Sequence, residues 1–219
     1  SKINDTHVGT FGHVGTFSFF GNKVITCGEG GAIIFNDQEA YNNARVMRDH
    51  GMTPGKRYWH DVVGFNYRLT NLQAAVGCAQ FEQLAGFREK RKQIFSWYEK
   101  YLLTSGYFDV QDLPQGFQTS YWLFTVKLRE HCLIHRDVLI DKLSKVGVDT
   151  RPVFFPMSQM PPFSHYEKYL TGSAEEISLK GISLPTSVYL NEMDIKNVSK
   201  EVISSIESYI HFQGVCSND

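Results

Sequence analysis

One amine in this chain is placed where it could do covalent chemistry. Lys23 closes the run Phe17-Ser18-Phe19-Phe20-Gly21-Asn22-Lys23 and is followed by Gly28-Glu29-Gly30-Gly31. A strand that presents a hydroxyl, a loop that presents an amine and then a glycine turn could hold a phosphorylated aldehyde by imine and phosphate together. An amine condenses with an aldehyde only when neutral, so Lys23 must be partly desolvated or lie near another cation; Phe17, Phe19 and Phe20 could supply that setting. The Ser18 hydroxyl, with nearby backbone amides, could take a phosphate oxygen. On spacing alone, the same residues could equally be a solvated hairpin lysine and ordinary turn glycines.

Composition narrows the function classes around that amine. With 219 residues, 42% hydrophobic and 14% aromatic, the chain can form one large domain or two small ones. Lys plus Arg total 22 against 23 for Asp plus Glu, a formal charge of -1, which gives no electrostatic case for nucleic acid or an anionic membrane. No apolar run approaches the roughly 18 residues needed to cross a bilayer. Cys27, Cys78, Cys132 and Cys216 form no CxxC pair and have no histidine at ligand spacing, so neither a metal site nor a disulfide framework is expected, and reduced thiols fit the cytoplasm. Arg88, Lys90, Arg91 and Lys92, beside Phe87, Ile94 and Phe95, predict the wet face of an amphipathic helix.

The elements that must position the amine follow from pattern. Residues 14–20 and 32–35 read as strands flanking the Lys23 turn, and Asp37 as the N-cap of a helix that stops at His50-Gly51. Residues 52–66 read as a loop long enough to be functional or to reach a partner subunit. Thr70-Asn71-Leu72-Gln73 fits a capping box that opens a helix, and a longer helix ends near Ser105-Gly106. Beyond a polar stretch at 112–118, strands are expected over 121–128 and 148–154, and helices over 136–146 and 194–210. Alternating strands and helices indicate α/β or α+β architecture.

Six ordered blocks carry a resemblance over nearly the whole chain: Gly9-Thr10-Phe11-Gly12, the Phe17 to Lys23 run, Gly28 to Gly31, Arg48-Asp49-His50-Gly51, Gly64-Phe65-Asn66-Tyr67-Arg68-Leu69-Thr70-Asn71-Leu72-Gln73-Ala74-Ala75, and Ser183-Leu184-Pro185-Thr186. In that order they resemble the DegT/DnrJ/EryC1/StrS family of sugar aminotransferases, which use pyridoxal phosphate. The resemblance implies an α/β fold, the C-terminal part of a transferase of the aspartate aminotransferase type. Residues 1–84 would end the large cofactor domain, 85–106 would form a connecting helix, and 107–219 would form the small domain.

The same resemblance assigns roles. Lys23 would carry the cofactor and shuttle a proton, Ser18 would hold its phosphate, and Asn66 would reach the phosphate across a homodimer with shared active sites. Arg68 is the candidate for the carboxylate of a glutamate donor and Arg151 for the nucleotide-sugar substrate; the bland alternative for each is an ion pair with a nearby Asp or within its own domain. The stretch Gly147 to Met157 with Gln159-Met160-Pro161-Pro162 is similar to perosamine synthases, which aminate a GDP-linked 4-keto-6-deoxymannose, a chemistry of O-antigen assembly. Ser158 stands where relatives usually carry histidine, and His13 where an acid is common. Because the chain opens at Ser1 with its strongest motif close behind, a preceding portion is expected to supply the acid for the pyridine nitrogen. The alternatives are a catalytically silent fragment and a dehydratase relative, and Lys23 speaks against the second.

Overall fold

The computed structural model of the protein describes residues 1–166 and 171–216, with side chains described as far as 213. In chain order the elements are β1 (Lys2–Ile3), β2 (Thr6–His7), β3 (Val14–Ser18), β4 (Gly31–Phe35), α1 (Gln38–Arg48), α2 (Asn71–Glu82), α3 (Leu84–Tyr101), β5 (Phe108–Asp109), β6 (Phe117–Gln118), β7 (Phe124–Leu128), α4 (Arg136–Lys145), β8 (Arg151–Pro152), α5 (Ser173–Lys180), β9 (Gly181–Leu184) and α6 (Glu192–Cys216). The chain divides into two compact units, residues 1–88 with 113–120 and residues 89–112 with 121–219.

The first unit is built from local signals with little burial. β3 and β4 form an antiparallel hairpin in which Ser18 pairs with Gly31, and β1 pairs antiparallel with both β2 and β6. Asp37 caps α1 by accepting from the Ala40 amide at 2.7 Å. Thr70 and Gln73 form the expected capping box of α2. Among the described residues, Cys27 is the one buried apolar side chain in this unit. Phe17 and Ile34 are exposed on one face of the hairpin, Val14 and Ile33 on the other.

The second unit holds the core. Its sheet has the order β5-β7-β9-β8, antiparallel throughout. Phe124, Val126 and Leu128 project from one face of β7 and pack with Ile94, Tyr98 and Leu102 of the α3 region, Leu139 and Leu143 of α4, and Ile195, Val202 and Ile206 of α6. On the opposite face of β7 and β9, Thr125 and Ser183 are hydrogen-bonded at 2.9 Å, and Lys127 donates to Glu176 of α5 at 3.0 Å.

Several boundaries differ from pattern for identifiable reasons. The 121–128 strand begins only at Phe124, because Tyr121 adopts φ 56 and the Trp122 carbonyl is taken by the Arg91 and Thr186 side chains. The 148–154 strand shrinks to Arg151–Pro152: the Val148 amide closes the end of α4 on Leu143, and Pro152 has no N–H for the ladder. α3 stops at Tyr101 and is followed by a 3-10 turn that Gly106 ends in the left-handed region. α5 and β9 escape pattern reading because α5 has eight residues and all four residues of β9 are buried, which leaves no alternation to detect. Arg91 departs from the expected wet face. It is half-buried and donates to the Trp122 carbonyl at 2.5 Å, and burial lowers its pKa.

Candidate active site

The loop that carries Lys23 is closed by the strands beneath it. The Phe19 amide donates to Gly30 O at 2.8 Å, one step beyond the Ser18–Gly31 pair, so the β3–β4 ladder runs into the base of the loop. The Phe19 carbonyl then accepts from the Cys27 amide at 3.1 Å and the Thr26 hydroxyl at 3.0 Å. The Lys23 amide donates to Phe20 O at 3.0 Å and the Gly28 amide to the Thr26 hydroxyl at 2.9 Å. Five hydrogen bonds between residues 19 and 30 thereby tie the loop to itself, which gives Lys23 a defined base; its side chain is half-buried.

Ser18 lies at the exposed end of β3 and its Oγ accepts from the Phe20 amide at 3.4 Å. With that lone pair used, the hydroxyl proton is available to an acceptor outside the chain. A hydroxyl at a strand end and an amine on the following turn suit a phosphorylated aldehyde. The donor set therefore fits pyridoxal phosphate at Ser18 and Lys23.

Asn66 and Arg68 lie on a second segment of the same unit. The Phe65 amide donates to Met47 O at 2.6 Å, His50 N–H to Phe65 O at 2.9 Å and Tyr67 N–H to Arg48 O at 3.0 Å, so Asn66 forms an isolated antiparallel bridge with Asp49. Gly51 and Gly64 permit this approach: a Cβ at Gly64 would lie 2.0 Å from Gly51 N, and Gly51 itself has φ 71. Arg68 Nη1 donates to Asp49 Oδ1 at 3.1 Å, so its partner in this structure is the nearby aspartate. Asp49 is a residue that sequence reasoning noted only within a motif.

The two segments meet. Gln73 Nε2 donates to Glu29 O at 3.2 Å, and Leu69 next to Arg68 packs so close to Gly30 that a Cβ there would be 2.9 Å from its Cδ1. Between the Lys23 loop and α2 lies an apolar cleft of about 410 Å³, lined by Phe19, Cys27, Leu69, Gly77, Cys78 and Phe81 among others. Arg151 belongs to the second unit, where it is exposed and pairs with Asp149 and with the Thr150 carbonyl. Ser158 Oγ donates to Glu175 at 3.5 Å. Cys27, Cys78 and Cys132 are free thiols, while the Cys216 side chain lies outside the described residues. Among the described residues there is no cluster of metal-ligating side chains, and no helix is long and apolar enough to cross a membrane.

Comparison with known proteins places the chain. Residues 1–203 match the DegT/DnrJ/EryC1/StrS aminotransferase family. The chain belongs to that family. It is 42% identical over 193 residues to the GDP-perosamine synthase of Caulobacter vibrioides, covering 87% of this chain and 52% of the relative. The GDP-perosamine synthase of Escherichia coli O157:H7 is 38% identical over 203 residues, 92% of this chain and 54% of that one. Among solved structures, the aminotransferase TlmJ from Streptoalloteichus hindustanus superposes with a TM-score of 0.85 at 26% identity, over 95% of this chain and 56% of TlmJ. The chain spans about half the length of the curated relatives it matches, as a C-terminal portion of them. The fold is thus the α/β fold of the family's pyridoxal-phosphate-dependent transferases.

Proposed function

We propose that this chain is the lysine-bearing part of a pyridoxal-phosphate-dependent aminotransferase that moves an amino group from glutamate to a nucleotide-linked keto sugar. A GDP-linked 4-keto-6-deoxymannose is the substrate favoured by the 36–42% identity to three relatives named GDP-perosamine synthase. The observation that carries the reading is the placement of Ser18 at the end of a strand and of Lys23 on the internally bonded loop that follows it.

When bound, the cofactor supplies an electron sink to the carbon that exchanges nitrogen. Lys23 Nζ would hold the cofactor's aldehyde carbon and would carry the proton to and from the reacting carbon. The Ser18 hydroxyl would donate to the cofactor phosphate. Asn66 would reach the phosphate of a partner protomer in a homodimer whose sites are shared. Arg68 exchanges the Asp49 carboxylate for that of glutamate; its side chain is 60% exposed, so an ion pair worth about 1 kcal/mol or less is given up. Arg151 is the candidate contact to the nucleotide sugar.

The test reads the lysine directly. Pyridoxal phosphate added to the chain should give an imine absorbance band, and borohydride should convert it to a stable adduct that mass spectrometry finds on Lys23. A band that survives Lys23→Ala, or an adduct elsewhere, removes the proposal. One observation favours a second reading, in which the isolated chain is silent: the unit holding Lys23 has Cys27 as its one buried apolar side chain among the described residues. No band in the isolated chain, with a band once the remaining half of a relative is co-expressed, would support that reading.

A further inference from the structure

Between Phe19 and Cys27 the chain leaves the hairpin as a loop, and Lys23 sits at its middle. The neck of that loop is closed by the Cys27 amide, which donates to the Phe19 carbonyl at 3.1 Å. Whatever fixes Cys27 therefore fixes both ends of the segment that carries the amine. In a unit with little burial, Cys27 is 6% exposed and is the one buried apolar side chain among the described residues.

The thiol is seated from three sides. Its Sγ donates to the Glu29 carbonyl at 3.1 Å, and the same oxygen accepts from Gln73 Nε2 of α2 at 3.2 Å. Gly30 leaves the space the sulfur fills: it has φ 150, and a Cβ there would lie 2.7 Å from Sγ. Gly77 of α2 brings its backbone up on another side, where a Cβ would lie 3.7 Å from the Cys27 Cβ. The thiol is thus a wedge between the glycine turn and α2, at the wall of the apolar cleft.

We infer that Cys27 is a positioning residue for Lys23: its thiol pins the neck of the amine-bearing loop to the glycine turn and, through the shared Glu29 carbonyl, to α2. The inference rests on the function proposed above for what Lys23 does, and goes beyond it in naming the side chain that aims the amine. A loop held only at its peptide ends samples many orientations, and seating its neck removes that freedom before an aldehyde arrives. Ser18 directly precedes Phe19, so the same pin sets the separation between the hydroxyl and the amine.

Hydrogen exchange and the pH titration of the imine band, measured on the full chain and on its Cys27→Ala and Cys27→Ser variants, test it. In Cys27→Ala the Lys23 and Cys27 amides should exchange roughly tenfold faster or more, as expected when a hydrogen bond and its packing are lost. The Asn36 and Tyr41 amides, bonded to the His13 and Asp37 carbonyls, should keep their rates. Cys27→Ser retains a donor for the Glu29 carbonyl at similar size and should restore most of the protection. The imine that pyridoxal phosphate forms on Lys23 should titrate at a shifted pH in Cys27→Ala and near the original pH in Cys27→Ser, a signature that a merely structural residue would not move. Unchanged exchange at Lys23 in Cys27→Ala overturns the inference, as does an unshifted imine titration. Exchange that rises equally at Asn36 and Tyr41 also overturns it, since the thiol would then only hold the unit together. If the unaltered chain forms no imine, the function proposed above fails in this chain, and exchange at Lys23 alone decides whether Cys27 positions the loop.

Discussion

Asp49 holds Arg68 through its carboxylate at 3.1 Å, and the same residue's backbone is bridged to Asn66. One position at the end of α1 therefore sets two of the candidate ligands. Because the two side chains are 60% and 38% exposed, the ion pair itself should add little to stability. A double-mutant cycle with Asp49→Ala and Arg68→Ala, followed by denaturant unfolding, is expected to give a coupling below about 1 kcal/mol. A much larger coupling would make the pair structural and take Arg68 out of contention as a donor ligand.

The bridge depends on two glycines. A Cβ at Gly64 would lie 2.0 Å from Gly51 N and 2.5 Å from the His50 carbonyl carbon, both backbone atoms that cannot swing away. Gly64→Ala should cost about 1–3 kcal/mol as overpacking and should expose the His50, Phe65 and Tyr67 amides to hydrogen exchange. Gly86→Ala in α3 is the contrasting control, since nothing lies within 4 Å of its Cβ position, and it should gain about 0.5–1 kcal/mol. Equal effects from the two substitutions would contradict the steric argument.

The α2 capping box links helix formation to the Lys23 loop, because Gln73 both accepts from Thr70 N–H at 3.0 Å and donates to Glu29 O at 3.2 Å. Thr70→Ala should destabilise the start of α2 by about 0.5–2 kcal/mol. Exchange at the Gln73 and Ala74 amides is the direct measurement, and unchanged protection there would refute the capping role.

Asp61 makes the 53–61 loop sensitive to acid. Bonds from Thr53 and then Trp59 hold its carboxyl below the ordinary 3.8. A carboxyl with a depressed pKa in the fold contributes fully above its ordinary value, and that contribution is lost as pH falls through the lower folded value. The emission of Trp59, with Trp97 and Trp122 replaced by Phe, should stay constant from neutrality down to about pH 4 and change below it. Asp61→Asn should abolish that acid step; an unaltered titration would show that another group drives it.

Burial is unequal between the units, and stability should follow. Leu143 is fully buried in α4, whereas Leu72 in α2 is 83% exposed. Leu143→Ala should cost about 2–5 kcal/mol, while Leu72→Ala should stay within about 0.5 kcal/mol. Limited proteolysis should cut first within residues 1–88, and early cleavage in α4 or α6 would be the contrary result.

What the sequence determined by itself is local. The Asp37 and Thr70 caps, the alternation of Phe124, Val126 and Leu128, and the helical spacing of Ile195, Val202 and Ile206 are each set by residues a few positions apart, and the structure keeps them. The Phe17 to Lys23 run and the five other blocks sufficed to identify the family for the same reason, being short and contiguous. Tertiary structure alone decided which polar groups meet: Arg68 with Asp49 across nineteen residues of chain, and Arg91 with the Trp122 carbonyl across thirty-one. The first of these depends on backbones brought together at Gly51 and Gly64, a close approach between segments that no local spacing of residue types encodes.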